Sequence, residues 1–174
     1  MKTIATLLTL LCLSISTFAQ DDYYATFTAL IYDENGKKIK NATIKIYKEN
    51  EVLTEAQTKG NGKVTFDVVL GAYYTLEISK EGYIPKRIAI KAYDKSGKPM
   101  YDALPFKFAT ELIKIKKQMD FDDLDFPVAI LEYDASKDEF EFVSSYTKEM
   151  KKIQKEIVKQ MEEQNFAATE DYVE

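Results

Sequence analysis

The segment 30–48, LIYDENGKKIKNATIKIYK, places two strand patterns on either side of a turn, and this arrangement limits the fold more than any other feature. The turn is Asp33-Glu34-Asn35-Gly36, in which Asn and Gly tolerate the positive φ angles that tight turns require. Residues 42–47 then alternate between apolar and polar side chains. One face of the second strand is therefore predicted to enter a core and the other to face water.

The same pattern recurs downstream as short strands separated by turn residues. The turns are Lys59-Gly60-Asn61-Gly62 and Lys80-Glu81-Gly82. Tyr74 is predicted to point inward and its neighbour Tyr73 outward, because successive side chains of a strand face opposite sides. Short strands at this spacing predict a mainly β, antiparallel sandwich, which we assign to residues 20–92.

The second half adds other elements to this sandwich. Residues 93–104 are predicted to form a loop, and residues 105–143 to add a long strand and a hairpin that pack on the sandwich. From 144 to 165 the apolar period becomes helical and predicts an amphipathic helix. The remaining acidic residues, 166–174, are predicted to be a flexible tail. The apolar stripe of the helix consists of Tyr146, Met150, Ile153, Ile157 and Met161.

Residues 1–19 have the features of a secretory signal peptide. Lys2 gives a positive start, residues 4–15 are apolar, and Thr17-Phe18-Ala19 forms a small-residue cleavage site. We expect cleavage after Ala19 and a periplasmic or extracellular protein. A transmembrane anchor is the alternative, but the apolar run is short for a span, so no integral span is expected after cleavage.

The residue inventory excludes several kinds of catalytic site. The chain has no histidine, and its one cysteine, Cys12, lies in the predicted leader, so triads with His or Cys and thiolate or imidazole metal sites are excluded. A pair of carboxylates, as in glycosidases, remains possible by inventory alone. The net charge is −5, and loss of Lys2 takes it to −6, which disfavours binding to nucleic acid. We expect no enzyme and no cofactor.

The acidic stretch Asp120–Asp125 offers several oxygen ligands of the kind that Ca²⁺ prefers. It lacks the glycine and the downstream glutamate of an EF-hand loop, and a solvated acidic loop is the alternative. We therefore predict no metal site there.

Several motifs together resemble a known family. The segments Asp33-Glu34-Asn35-Gly36-Lys37, residues 39–44, residues 58–66 and Gly71-Ala72-Tyr73-Tyr74 are similar to those of the carboxypeptidase regulatory-like domain. Asn41 stands where that family often has glycine. The resemblance implies a transthyretin-like (prealbumin-like) β-sandwich of the Cna-B type and a non-enzymatic accessory module. The second half resembles small envelope proteins of Bacteroidetes.

Four residues are candidates for contacts with a partner. Tyr73 and Tyr47 are expected on an exposed sheet face, where tyrosines stack on sugars or anchor protein interfaces. Ile153 and Ile157 would contact a partner if the helix does not pack on its own sheet; its lysines would then also reach lipid headgroups. The hypotheses are a protein-interaction or scaffold module of the cell envelope, binding another envelope protein, and a carbohydrate-binding accessory domain.

Overall fold

The computed structural model describes residues 23–94, 103–115 and 124–170. Nine strands and one helix lie in this part of the chain. The strands are β1 (Tyr24–Asp33), β2 (Thr43–Lys48), β3 (Glu51–Gln57), β4 (Lys63–Val69), β5 (Ala72–Ser79), β6 (Lys86–Ala92), β7 (Phe106–Leu112), β8 (Pro127–Asp134) and β9 (Glu139–Phe142), and the helix is α1 (Ser144–Glu170). The predicted signal peptide and most of the predicted loop 93–104 lie outside the described residues.

The strands form two sheets, and the predicted β-sandwich is confirmed. A three-stranded sheet has the order β4-β1-β7, and a six-stranded sheet has the order β3-β2-β5-β6-β8-β9. Alternation decides which side chains enter the core: Ile44 and Ile46 of β2, and Leu76 and Ile78 of β5, are almost fully buried. Tyr74 is buried and Tyr73 is exposed, as predicted.

The antiparallel pairing predicted for residues 20–92 is confirmed, whereas two pairings made by the added strands are parallel. Strand β7 runs parallel to β1, and β8 runs parallel to β6. Both strands follow connections that cross from one sheet to the other, and only a short hairpin forces two neighbouring strands to be antiparallel. The alternation of side chains carries no information about this direction.

Aromatic side chains join the two halves of the chain in one core. The Phe27 ring of β1 lies 5.4 Å from that of Phe66 in β4 and 4.8 Å from that of Phe140 in β9. Phe27 and Phe140 are both fully buried. Offset stacking and edge contacts of this kind stabilise beyond the area that they bury. The first and second halves of the chain therefore share a single hydrophobic core.

Turn residues with positive φ occur where the sequence offers Gly or Asn. Gly62 has a φ of +72°, and a Cβ there would lie 2.7 Å from the Ile31 carbonyl oxygen, so only glycine fits. The Gly62 amide donates a hydrogen bond to the Lys59 carbonyl, which makes this segment a hairpin turn. Asn41 has a φ of 52°, which explains why Asn replaces the glycine common in the similar family.

Helix α1 starts at Ser144, where the sequence predicts, and packs on the protein's own sheet. The Val143 amide donates to the Ile130 carbonyl, and the Tyr146 hydroxyl donates to the Pro127 carbonyl at 2.8 Å. The helix thus runs beside β8, where β9 has ended. It continues to Glu170, five residues past the predicted end and into the predicted tail, because good helix formers such as Ala167 and Ala168 extend it.

Candidate binding face

The outer face of the six-stranded sheet carries the two tyrosines that the sequence singles out. In the register of the sheet, Tyr47 lies opposite Thr75, which lies opposite Ala89. Tyr73 precedes Thr75 by two residues and therefore points to the same face. It is the diagonal neighbour of Tyr47, and such neighbours lie about 7–8 Å apart. Tyr73 has 45% of its surface exposed.

A charged row lies beside these tyrosines. Glu77 of β5 is directly opposite Arg87 of β6 and accepts hydrogen bonds from its Nε at 3.0 Å and its Nη2 at 2.9 Å. The Arg87 guanidinium also pairs with Asp125, and the Tyr47 hydroxyl donates to Glu77 at 3.4 Å. Both Arg87 donors bond the same carboxylate oxygen, Oε2, and these charge-assisted bonds hold the guanidinium against Glu77. Arg87 is thus held beside the tyrosines with about a third of its side chain exposed.

An open groove of about 430 Å³ lies over these residues, and we call it the tyrosine groove. Its rim includes Glu49 and Asn50, which join β2 to β3 with φ angles of 52° and 68°. Two successive positive φ angles match a type I′ hairpin, in which glutamate is a costly residue. The groove is lined by Tyr47, Glu49, Asn50, Tyr73, Thr75, Arg87 and Asp125.

A second ion pair lies next to the groove on the same face. The Lys91 ammonium is 2.7 Å from Glu132, and this hydrogen bond raises the pKa of Lys91 above its ordinary value. Lys91 is opposite Tyr73 in the sheet register. Burial raises the pKa of the nearby Tyr146, whose side chain comes from the first turn of the helix. Strand, loop and helix residues thus surround the two tyrosines.

The structure separates the four candidate contact residues into two places. Tyr47 and Tyr73 line one groove, whereas Ile153 and Ile157 lie on helix α1. Ile157 is half-buried and packs against the cluster of Ile84, Leu124 and Val158, so the self-packing alternative for the helix is confirmed at this position. Ile153 is also half-buried.

The sequence analysis missed the charged members of the groove. Alternation places Glu77 and Arg87 on the outer face, but the signal that they meet is the register between β5 and β6, which no local pattern reveals. Asp125 belongs to the acidic stretch that was considered for Ca²⁺, and it pairs with Arg87. Asp120 to Asp123 lie outside the described residues. Within the described ranges, no group of three or more His, Cys, Asp or Glu could hold a metal ion.

Comparisons with known proteins agree on the sandwich. Residues 26–102, less than half of the chain, match the family model of the SpaA prealbumin-like fold domain. No curated protein matches the chain. The narrower carboxypeptidase regulatory-like assignment stays a prediction. In the described part of the chain, no helix has the length and apolar content needed to cross a membrane.

Solved structures resemble the chain only distantly. The TIE protein of Bacillus anthracis is 18% identical over 53% of this chain and 18% of its own, with a TM-score of 0.43. The 3-chlorocatechol 1,2-dioxygenase of Rhodococcus opacus is 14% identical over 56% of this chain and 62% of its own (TM-score 0.42). BcpA, the major pilin subunit of Bacillus cereus, is 14% identical over 51% of this chain and 28% of its own (TM-score 0.38).

The chain spans less than two thirds of each of these three proteins, and at this level of likeness their activities do not transfer. The family model and the two-sheet architecture lead to the same result. The chain contains a prealbumin-like β-sandwich, to which the strands and the helix after residue 102 are added.

Proposed function

We propose that this protein is a non-enzymatic, secreted binding module of the cell envelope, and that another envelope protein docks on the tyrosine groove. The observation that supports this proposal most directly is the placement of Tyr47, Tyr73 and Arg87 on one accessible sheet face. Tyrosine and arginine are the residue types enriched at the energetic centres of protein interfaces. Here the rigid strands hold them in place before any partner arrives, which lowers the entropy cost of binding.

The charge of the groove indicates the kind of partner. Glu49 and Asp125 contribute two carboxylates to the lining, and Arg87 is the one cation among the described lining residues. Glu77 and Asp125 already neutralise Arg87. We therefore expect the partner segment to present a lysine or arginine side chain, which the tyrosine rings would also attract by cation–π contact.

The inventory of the groove argues against catalysis. It has no histidine or cysteine, and two of its charged groups, Arg87 and Asp125, are bound to each other. An open groove on a sheet face also leaves water in contact with any bound group, whereas catalytic sites usually exclude it. The match to a prealbumin-like domain supports a structural or binding role in the same sense.

A carbohydrate ligand is the second candidate, and one observation favours it. The exposed ring of Tyr73 and the half-buried ring of Tyr47 lie on one face, with Asn50, Glu49 and Asp125 at the same groove. Aromatic faces that stack on sugar rings, with polar groups beside them to bond hydroxyls, are a common way to bind glycans.

The two candidates are separated by crosslinking and glycan binding with matched variants. A photo-crosslinking side chain replaces Tyr73 in the native host, and the same group at Tyr24, in the three-stranded sheet, is the control, because its exposure of 49% is similar. Our proposal predicts one dominant protein adduct from position 73 that is absent from position 24 and lost when Tyr47→Ser is added. Equal adducts at both positions would refute it. Glycan binding that Tyr47→Ser and Tyr73→Ser abolish, without a protein adduct, would establish the second candidate.

Secretion is tested separately. The proposal predicts that the protein isolated from its host begins at Gln20 and fractionates with the envelope or medium. A cytoplasmic protein that retains residues 1–19 would contradict it.

A further inference from the structure

A second cavity differs from the tyrosine groove in that its lining is strongly basic. It has a volume of about 420 Å³ and lies between helix α1, the end of β7 and the start of β6. Lysines from the helix recur at spacings of three and four residues, so they share one helical face. We call this the lysine cavity, and its cations are Lys86, Lys148, Lys151, Lys152 and Lys155.

Lys86 is the unusual member of this set. Only 5% of its surface is exposed, and its ammonium group donates a hydrogen bond to the Glu111 carbonyl oxygen. Burial and, to a smaller extent, the charge of Lys151 lower the pKa of Lys86 to about 8, although Glu111 partly opposes both. A buried lysine beside other lysines destabilises the fold unless a negative group joins it. Packing alone does not explain why a lysine occupies this buried position.

The described lining residues offer too little negative charge to balance the lysines. Glu111 is the one carboxylate among them, against five lysines. Lys152 also lies 3.8 Å from Glu156 on the exposed side of the helix. This excess of cations occurs in a chain whose net charge is −5. Clustered lysines at a partly enclosed site focus the field and attract anions.

An apolar cavity adjoins the lysine cavity. It has a volume of about 230 Å³ and shares Ala109, Thr110, Lys148 and Lys151 with it. Its other lining is mainly apolar and includes Val128 of β8. The Thr147 hydroxyl, which also lines it, is buried and has no hydrogen-bond partner in the described part of the chain. A buried hydroxyl normally has a partner, so a group from a ligand or water is expected there.

We propose that the lysine cavity binds the oxyanion group of a small amphiphilic ligand, whose apolar substituent enters the adjoining cavity. The ammonium groups donate hydrogen bonds to the oxyanion, and its negative charge stabilises the protonated form of Lys86. This site is separate from the tyrosine groove, so the inference does not depend on the function proposed above. A free alkyl phosphate or carboxylate and the headgroup of an anionic lipid share this chemistry.

Calorimetry with hexyl phosphate, at low ionic strength and pH 7, tests the site on the mature chain. We expect hexyl phosphate to bind at least tenfold more tightly than inorganic phosphate, because only the former fills the apolar cavity. The double variant Lys151→Gln, Lys155→Gln should weaken binding at least tenfold. Both lysines are exposed, so the variant should fold normally. Lys159→Gln, an exposed change outside the cavity that removes one of the two charges lost in the double variant, should alter affinity less than twofold.

A variant of the hydroxyl tests whether the alkyl chain enters the apolar cavity. Thr147→Val keeps the shape of the side chain and removes the unpartnered hydroxyl, so it should leave the urea midpoint unchanged or raised. It should also tighten hexyl phosphate binding, because an alkyl chain gives the hydroxyl no hydrogen-bond partner. No binding of hexyl phosphate at millimolar concentration would overturn the proposal, and so would equal losses in the double variant and in Lys159→Gln.

Vesicles of phosphatidylcholine and phosphatidylglycerol distinguish a free amphiphilic ligand from the headgroup of an anionic lipid. Vesicle binding that hexyl phosphate displaces indicates a lipid headgroup as the ligand, whereas vesicle binding that it does not displace would overturn the cavity site.

Discussion

Replacement of Lys86 by methionine tests whether the buried ammonium destabilises the fold at neutral pH. Methionine keeps the length of the aliphatic chain and removes the charge. In the folded protein the pKa of Lys86 is about 8, below its ordinary value of 10.5. The folded state therefore releases this proton before the unfolded state does. The destabilisation is complete below pH 8 and is relieved as the pH rises from 8 towards 10.5.

The difference in pKa sets the size of the effect. It corresponds to about 3 kcal/mol of destabilisation at pH 7, of which about 2 kcal/mol should be regained by pH 9.5. The variant loses the hydrogen bond to the Glu111 carbonyl, which contributes about 2 kcal/mol. We therefore expect Lys86→Met to be about 1 kcal/mol more stable than the parent at pH 7, with little change in stability up to pH 9.5.

Urea unfolding at intervals between pH 7 and 9.5, in buffers without phosphate, measures both quantities. This pH range suits the measurement because the chain has no histidine to titrate within it. Lys91 and Tyr133, whose pKa values are raised, lose their protons only at higher pH. Lys107→Met, an exposed change on β7, is the control and should follow the parent. A parent whose stability is flat or falls across this window would refute the reasoning, as would a Lys86→Met variant that shows the same rise as the parent.

Three further predictions concern the fold and the groove. Gly62→Ala should lower the free energy of unfolding by about 2–4 kcal/mol, since it adds a clash at positive φ, whereas Gly60→Ala, with open space around it, should change it by under 1 kcal/mol. Similar urea midpoints for the two variants would contradict this. Phe140→Ala should cost about 3–5 kcal/mol and Glu141→Ala almost nothing; a loss below 1 kcal/mol for Phe140→Ala would show that the sandwich does not need β9. Glu49→Asn should raise the unfolding free energy by about 0.5–1 kcal/mol, because Asn adopts positive φ more easily, and an unchanged melting temperature would argue against a type I′ turn.

The sequence allowed the sandwich to be predicted because burial in strands repeats every second residue. The buried set in β2 and β5, the exposure of Tyr73, and the turn at Gly62 all follow from local chemistry. The helix could be predicted equally well from the spacing of its apolar residues. These features depend on neighbours within a few positions along the chain, and such neighbours are visible in the sequence.

Features that depend on pairing between distant segments could not be predicted. The parallel direction of β7 and β8 is set by the crossings between sheets, and the meeting of Glu77 with Arg87 is set by register. The lysine cavity needs β6, β7 and the helix in one place, so the sequence showed only a row of helical lysines. Alternation with Ile88 and Ile90 places Lys86 on the inner face of β6, but it does not reveal the helix lysines that lie beside it.

The parallel pairing of β1 with β7 also bears on the order in which the protein folds. Phe27 pairs with Phe106, 79 positions later, and its ring contacts Phe140, which comes later still. A chain that emerges from its amino end therefore displays the apolar face of β1 without its final neighbours until most of the sequence has appeared. Long-range pairing of this kind slows folding and prolongs the exposure of aggregation-prone strands. We expect chaperone dependence to be greatest for chains that end before residue 140.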